Sequence, residues 1–170
     1  MPDIFLIRHA KSEYPPGIPD HDRPLSARGR LDAAVAATWL EQSGMVAGPW
    51  MAVVSDARRA LDTWAILASG MPTHGNSADR QSVAVRADLY EAGVGTVLEI
   101  INQNSAAVQS LILVGHNPTM HATALHLAGA SAQGSLIAER FPTCAIAVLR
   151  SEQDETKLVH VEVPRVRNVH

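Results

Sequence analysis

The feature that most constrains the fold is a run of four large apolar residues, positions 4–7, that leads directly into Arg8 and His9. Turn-forming residues follow within a few positions, and this pattern is typical of a β-strand that is buried on both faces. Such strands usually lie inside parallel sheets covered by helices. Open α/β sheets bind ligands at the carboxyl ends of their strands, so Arg8 and His9 are candidate site residues. Taken alone, these two residues are equally well explained as solvated side chains at the end of a strand.

The composition is that of a globular domain. The 170 residues are 46% hydrophobic and 18% charged, which is enough for one domain, residues 1–170, with a sizeable core. The net charge of -3 and the lack of a basic patch argue against nucleic-acid binding. No apolar run reaches the roughly 18 residues of a membrane span, and no signal peptide is evident. We therefore expect a cytoplasmic protein that binds no membrane. Its single cysteine, Cys144, excludes an internal disulfide.

Strands and helices alternate along most of the chain. Besides residues 4–7, apolar runs predict strands at 50–55, 83–85, 111–115, 144–149 and 157–163. Apolar residues at helical spacing predict four helices, which begin after Ser26, near Ala57, near Val94 and at Pro118 with Asn117 as its cap. Loops are predicted at 11–24, 73–81 and 87–93, and a polar turn at 151–155. This alternation predicts an α/β fold: a single three-layer domain with a mostly parallel central sheet, an antiparallel C-terminal addition and helices on both faces.

Three of the predicted strands end in unusual polar groups. Arg8 and His9 follow the first strand, residues 55–60 (Ser-Asp-Ala-Arg-Arg-Ala) follow the second, and residues 115–118 (Gly-His-Asn-Pro) follow a third. In a parallel sheet these ends meet at one edge. Arginines, histidines and a helix N-terminus together describe a site for a dianion such as phosphate. One histidine could attack phosphorus while the arginines and the other histidine hold the phosphoryl oxygens.

The sequence does not indicate a metal or another cofactor. No carboxylate cluster with metal-ligand spacing accompanies the histidines. His121 and His126 follow His116 at intervals of five residues, which do not place the three side chains on one helix face. We therefore expect the cations at the site to be protein groups.

The order and spacing of these motifs resemble those of the histidine phosphatase superfamily, which also contains the cofactor-dependent phosphoglycerate mutases. Arg8-His9-Ala10 resembles its Arg-His-Gly signature, and the segment 115–117 resembles its second histidine motif. The segment 55–63 resembles Ser-Pro-x-x-Arg-Ala-x-Gln-Thr. Within the superfamily the chain is most similar to the SixA-type phosphohistidine phosphatases, through residues 22–29 and 141–147.

By this resemblance, His9 is the nucleophile that becomes phosphorylated. Arg8, Arg59 and His116 bind the phosphoryl group, and Ser12 and Asn117 assist. The alignment selects Arg59, not Arg58. The general acid is Glu91, with Asp88 as the competitor. The same residues also have plain interpretations, since Glu91 fits a carboxylate near a helix N-terminus and Ser12 a loop hydroxyl.

Three positions depart from the family pattern, and one expected segment is missing. Ala10 replaces Gly, Asp56 replaces Pro and Asp62 replaces Gln. We expect the two aspartates to alter only the rim of the site. No large helical segment is inserted between Arg59 and His116, which suggests an open site.

The resemblance therefore implies a phosphatase that works through a phosphohistidine, most simply on protein phosphohistidine. A general phosphomonoesterase for small metabolites and a catalytically silent phosphate-binding module are the alternatives. The expected partner is a phosphorylated protein or a small phosphoester, and the oligomeric state stays open.

Overall fold

Six strands form one mixed sheet at the centre of the computed structural model, which describes residues 1–73, 81–152 and 155–166. The strands are β1 (Asp3–Arg8), β2 (Trp50–Ser55), β3 (Gln81–Arg86), β4 (Ser110–Gly115), β5 (Ile146–Glu152) and β6 (Glu155–Glu162). Their order across the sheet is β3-β2-β4-β1-β5-β6. The first four strands along the chain are parallel, whereas β5 runs antiparallel to β1 and β6 antiparallel to β5. This confirms the predicted mostly parallel sheet with an antiparallel C-terminal addition.

Four helices cover the two faces of the sheet. They are α1 (Ala27–Ser43), α2 (Arg58–Leu67), α3 (Val94–Asn104) and α4 (Thr119–Ala128). Alternate residues of β1 point to opposite faces, so that Phe5 and Ile7 pack in one apolar core with α1 and α2. Ile4 and Leu6 pack in the other core with α3 and α4. All four side chains are fully buried, as expected of a strand covered on both faces.

The sheet register brings the polar strand ends together. Arg8 at the end of β1 lies opposite Gly115 at the end of β4. Val54, one residue before the end of β2, lies opposite Val114 in β4. The residues that follow these three strands therefore share one edge of the sheet.

The loop after β1 is closed at its base. Ser12 and Leu25 form an antiparallel bridge, the Glu13 N–H donates to the Pro24 carbonyl, and the Ser26 N–H donates to the Lys11 carbonyl. Between these contacts the chain makes one short helical turn, Asp20–Asp22. The loop therefore stands at the same edge as the strand ends.

Several boundaries differ from the predicted ones. Helix α4 begins at Thr119 with Pro118 as its N-cap, and the Asn117–Pro118 peptide is cis. The first helical N–H groups are already used, because the Met120 N–H donates to the His116 carbonyl. Strands β5 and β6 extend into the predicted turn 151–155, of which positions 153–154 lie outside the described residues, as do positions 74–80 of the predicted loop 73–81. None of the described helices is both long and apolar enough to cross a membrane.

We predict that Gly29→Ala destabilises the fold, because a Cβ there would lie 2.0 Å from the carbonyl oxygen of Lys11. Backbone must then move at the start of α1, and we expect a loss of about 1–3 kcal/mol in the free energy of unfolding, measured by urea denaturation. Gly95→Ala in α3 is the matched control, since nothing lies within 4 Å of its added Cβ. It should be neutral or stabilising by up to about 1 kcal/mol. Equal stabilities for the two variants would contradict the close approach.

Candidate active site

A cavity of about 380 Å³ opens at the carboxyl edge of the sheet. Its walls come from β1 and the loop that follows it, from α2, and from the segments that precede α4 and β5. The lining residues are Arg8, His9, Lys11, Ser12, Tyr14, Arg23, Arg59, His116, Asn117 and Thr143. Six of the seven predicted site residues are therefore brought into one cavity. The seventh, Glu91, does not line it.

The hydrogen bonds of His9 define its tautomer. Its Nδ1 lies 2.7 Å from the carbonyl oxygen of Ala10. A carbonyl can only accept, so Nδ1 carries the proton and Nε2 keeps its lone pair. Burial lowers the pKa of His9 to about 3. The hydrogen bond to Ala10 opposes this shift, and His116, Arg59 and Arg8 add to it. His9 is therefore a neutral imidazole whose Nε2 is available for nucleophilic attack.

His116 lies beside His9, with 5.1 Å between the ring centroids. Its Nε2 lies 2.8 Å from the Ser55 hydroxyl, which also accepts a hydrogen bond from the Ala57 N–H. Its Nδ1 is buried and has no hydrogen-bond partner in the part of the chain that the structure describes. Burial, followed by the charge of Arg59, lowers the pKa of His116 to about 4. Both imidazoles are therefore neutral near pH 7.

Arg59 is almost completely buried and bridges the cavity. Its Nε–H donates a hydrogen bond to His9 Nε2 at 3.3 Å. Its two terminal nitrogens donate to Asp20, Nη1 to the carbonyl oxygen at 2.6 Å and Nη2 to Oδ2 at 3.1 Å. The neighbouring Arg58 is exposed and lies 3.7 Å from Asp62. The structure thus places the arginine chosen by the alignment in the cavity and leaves the other at the surface.

Arg8 and Asn117 are positioned by the same backbone carbonyl. Arg8 Nη1 donates to the Phe141 carbonyl at 3.0 Å, and Asn117 Nδ2 donates to it at 2.8 Å. Within the described residues, Arg8 Nε and Asn117 Oδ1 are buried without a hydrogen-bond partner. Unsatisfied buried polar atoms are costly, so they mark a place where a polar ligand would be bound. Ser12 accepts a hydrogen bond from Arg23 Nη1 at 2.8 Å.

The departure at Ala10 is explained by packing. Ala10 is fully buried in the core on the α1 and α2 side, and its N–H donates to Thr63 Oγ1 at 3.0 Å. Its methyl group does not line the cavity, so glycine is not required there. Asp56 lies 3.0 Å from His21 Nε2, and neither Asp56 nor Asp62 lines the cavity.

Asp20, Arg23 and Tyr90, for which the sequence predicts no role, belong to the site through their contacts. Asp20 accepts hydrogen bonds from Arg23 Nε at 2.9 Å and from the Tyr90 hydroxyl at 2.5 Å, in addition to Arg59. The Tyr90 hydrogen bond, with Arg59 and Arg23, lowers the pKa of Asp20 to about 2. Arg23 is buried and lies under the exposed ring of Tyr14, 3.9 Å from its centroid. The motif at 22–29 contained Arg23, but no sequence pattern distinguished Asp20 from the other acidic residues of the loop.

The two general-acid candidates have different surroundings. Asp88 is paired with Arg86 through contacts of 2.9 and 2.6 Å, and this ion pair lowers the pKa of its carboxyl group. Glu91 is exposed and follows Tyr90, whose ring centroid lies 5.5 Å from that of His116. The assignment of Glu91 as the general acid, with Asp88 as the competitor, stays a prediction.

Comparison with known proteins gives the family. A sequence model described as the histidine phosphatase superfamily (branch 1) matches residues 4–97, more than half of the chain. An uncharacterized protein of Mycobacterium tuberculosis, Rv1276c, is 42% identical over 148 residues, which cover 85% of this chain and 86% of the relative. The chain belongs to the histidine phosphatase superfamily. The chain is accordingly a phosphatase that acts through a histidine.

Solved structures show that this histidine phosphatase is of the SixA type. The candidate phosphohistidine phosphatase SixA from Agrobacterium tumefaciens superposes with a TM-score of 0.78 at 28% identity, covering 96% of this chain and 99% of that one. The protein histidine phosphatase SixA complexed with tungstate superposes with a TM-score of 0.75, covering 95% and 97% of the two chains. At 21% identity the second likeness shows the fold alone. The α/β fold and the resemblance to the SixA-type histidine phosphatases, both predicted from the sequence, are confirmed.

We predict that His9 and His116 stay neutral from pH 8 down to pH 5, because burial lowers their pKa values to about 3 and about 4. Long-range ¹H–¹⁵N correlation spectra of the imidazoles should show His9 as the Nδ1–H tautomer throughout this range. The variant His9→Gln would assign its resonances. A titration midpoint near the ordinary histidine pKa of about 6.5 for either imidazole would contradict the burial argument.

Proposed function

We propose that this phosphatase hydrolyses protein phosphohistidine through a phosphorylated His9. The observation that carries the proposal is the state of His9: a neutral ring, fixed through Nδ1, whose unprotonated Nε2 faces the anion-binding Arg59. A nucleophile held in this way needs no separate base, since it has no proton to lose from the attacking atom.

In the first step, Nε2 of His9 attacks phosphorus in line with the leaving group. The P–Nε2 bond forms as the bond to the leaving group breaks. The His9 ring becomes a cation, which the Ala10 carbonyl stabilises through its hydrogen bond to Nδ1–H. Arg8, Arg59 and His116 hold the phosphoryl oxygens, where negative charge is concentrated.

Around the same oxygens, Ser12 and Asn117 add polar contacts. The buried, unpartnered Nε of Arg8 points to a group that accepts hydrogen bonds, as phosphoryl oxygens do. In the second step water attacks phosphorus, the P–Nε2 bond breaks, and His9 returns to its neutral form as phosphate leaves.

Two observations favour a protein side chain as the leaving group. The cavity mouth carries Tyr14, whose side chain is 78% exposed. Among the described residues, only short turns, β3, α3 and β4 lie between α2 and α4, with no large inserted segment. Moreover, the structural relative from Agrobacterium tumefaciens is a candidate phosphohistidine phosphatase. A phosphorylated imidazole can also leave as a neutral ring when its other nitrogen is protonated, so this reaction depends little on a general acid.

A small phosphate ester is the second candidate substrate, and Glu91 is the observation that favours it. An alkoxide needs a proton as it leaves, and a positioned carboxylic acid can supply that proton. Since the Asp88 carboxylate is held by Arg86, Glu91 is the better donor on this loop.

We expect a brief incubation with ³²P-labelled protein phosphohistidine, followed by an alkaline quench, to label the wild-type chain in an acid-labile, alkali-stable form. His9→Ala should abolish the label and lower turnover by at least 10³-fold, since the nucleophile is removed. His126→Ala, which alters an exposed histidine of α4, should behave as wild type. If the wild-type protein never becomes labelled, the phosphohistidine mechanism is wrong, and a phosphate-binding module is the remaining hypothesis.

Glu91→Gln should separate the two substrates. We expect turnover of a phosphate monoester with a poor leaving group to fall about 100-fold, and turnover of phosphohistidine to fall less than about 5-fold, because general acid catalysis contributes chiefly to the ester. Steady-state kinetics on both substrates measure the ratio. Glu99→Gln on α3 and Asp88→Asn serve as carboxylate controls and should leave both rates near wild type. An equal loss of turnover on both substrates would contradict the assignment of Glu91 as the general acid.

A further inference from the structure

Both terminal nitrogens of Arg59 donate to a single residue, Asp20. One donates to the backbone carbonyl of Asp20 and the other to its carboxylate, so only the Nε–H points towards His9. Arg59 is 6% exposed, which leaves little water to hydrate the guanidinium. A buried cation of this kind is unstable without a partner, and Asp20 supplies that partner.

Asp20 keeps other partners that do not depend on Arg59. Arg23 Nε donates to Oδ1 at 2.9 Å, and the Tyr90 hydroxyl donates to Oδ2. The Tyr90 hydrogen bond, the charge of Arg59 and the Arg23 contact together lower the pKa of Asp20 to about 2, so that the carboxylate is ionised near pH 7. Asp20 lies on the loop that the Ser12–Leu25 bridge closes after β1, and its side chain is 56% exposed.

A phosphoryl group in the cavity needs the same hydrogen-bond donors. Arginine binds phosphate oxygens through a planar fork of N–H groups, and in the ligand-free protein the terminal arms of this fork are turned to Asp20. The carboxylate and a phosphate dianion also repel each other when they share one cation. Binding of the phosphoryl group must therefore exchange one anion for the other at Arg59.

Resting on the proposed function, we propose that Asp20 is an internal counter-ion of Arg59 which competes with phosphate and so sets the affinity of the site for free tetrahedral oxyanions. While the site is empty, Asp20 satisfies the buried guanidinium. When the phosphoryl group arrives, Arg59 turns its donors to the phosphoryl oxygens, and Asp20 stays with Arg23 and Tyr90. After hydrolysis, the same carboxylate helps to expel the product.

A purely positioning role for Asp20 predicts the opposite sign. If Asp20 only held Arg59 in its binding geometry, its removal would weaken oxyanion binding. If Asp20 competes, its removal strengthens binding. The direction of the change therefore decides between the two roles.

The test is the inhibition constant of orthophosphate and of vanadate for wild type, Asp20→Asn and Asp20→Ala, measured in steady-state turnover at an ionic strength of 50 mM. We expect both variants to bind the oxyanions about 5- to 10-fold more tightly, which is the order of magnitude for removing one charge beside a dianion in a partly exposed site. The difference should shrink at an ionic strength of 0.5 M, since salt screens interactions between charges.

The matched control is Asp22→Asn, two residues along the same loop. Asp22 is exposed, and its described ion-pair partner is His21, at 3.3 Å, rather than an arginine. This variant removes the same unit charge from the same loop and should change the inhibition constants less than twofold. Tightening that appears equally in Asp22→Asn would overturn the specific role of Asp20.

The experiments distinguish a failure of the counter-ion role of Asp20 from a failure of the proposed function. If wild type forms the labelled phosphoenzyme but the Asp20 variants bind oxyanions with unchanged or lower affinity, the counter-ion role is overturned and the proposed function stands. If wild type forms no phosphoenzyme, the proposed function falls and the counter-ion role falls with it. Thermal melts of each variant verify that it is folded, and Asp20→Ala tests whether Asn merely keeps the contact to Arg59.

Discussion

Strand β1 is the element on which the active-site edge depends. It pairs with β4 on one side and β5 on the other, and its four central side chains are fully buried in two cores. Burial of each large apolar side chain contributes about 1.5–3 kcal/mol, so the strand is firmly held. Arg8 is the last residue of this strand and lies opposite Gly115 at the end of β4. His9 therefore emerges at the edge, with its position defined by the sheet.

The chemistry of the site follows from how charge is distributed around that edge. Arginine side chains supply permanent positive charge, and burial keeps both histidines neutral beside them. This combination attracts a dianion and leaves the lone pair of His9 Nε2 available, whereas a protonated His9 could not attack. In the empty site the positive charge of Arg59 is balanced by the ionised Asp20 from the neighbouring loop. The Asp20 contact that stabilises the buried Arg59 guanidinium therefore opposes the binding of a phosphoryl group to the same guanidinium.

Much of this arrangement could be predicted from local patterns. Apolar runs and helical spacing predicted the strands, the four helices and the α/β class, and the polar residues after three strands predicted which residues would meet. Six of the seven predicted site residues line one cavity. The contacts of Asp20 could not be predicted, since its partners Arg59 and Tyr90 lie 39 and 70 residues away along the chain. The predicted start of α4 differs from the observed one by one residue, because sequence patterns define helix ends only to within about one or two residues.

By itself the sequence determined the buried strand, the fold class and the types of group that gather at its edge, since periodicity and residue type are local properties. Only the tertiary structure decided which atom faces which. It set the Nδ1–H tautomer of His9 through the Ala10 carbonyl and turned Asp20 onto Arg59. It also left Glu91 exposed outside the cavity lining. The reason is that hydrogen bonds and burial depend on distances between segments far apart in the chain, and no local pattern contains those distances.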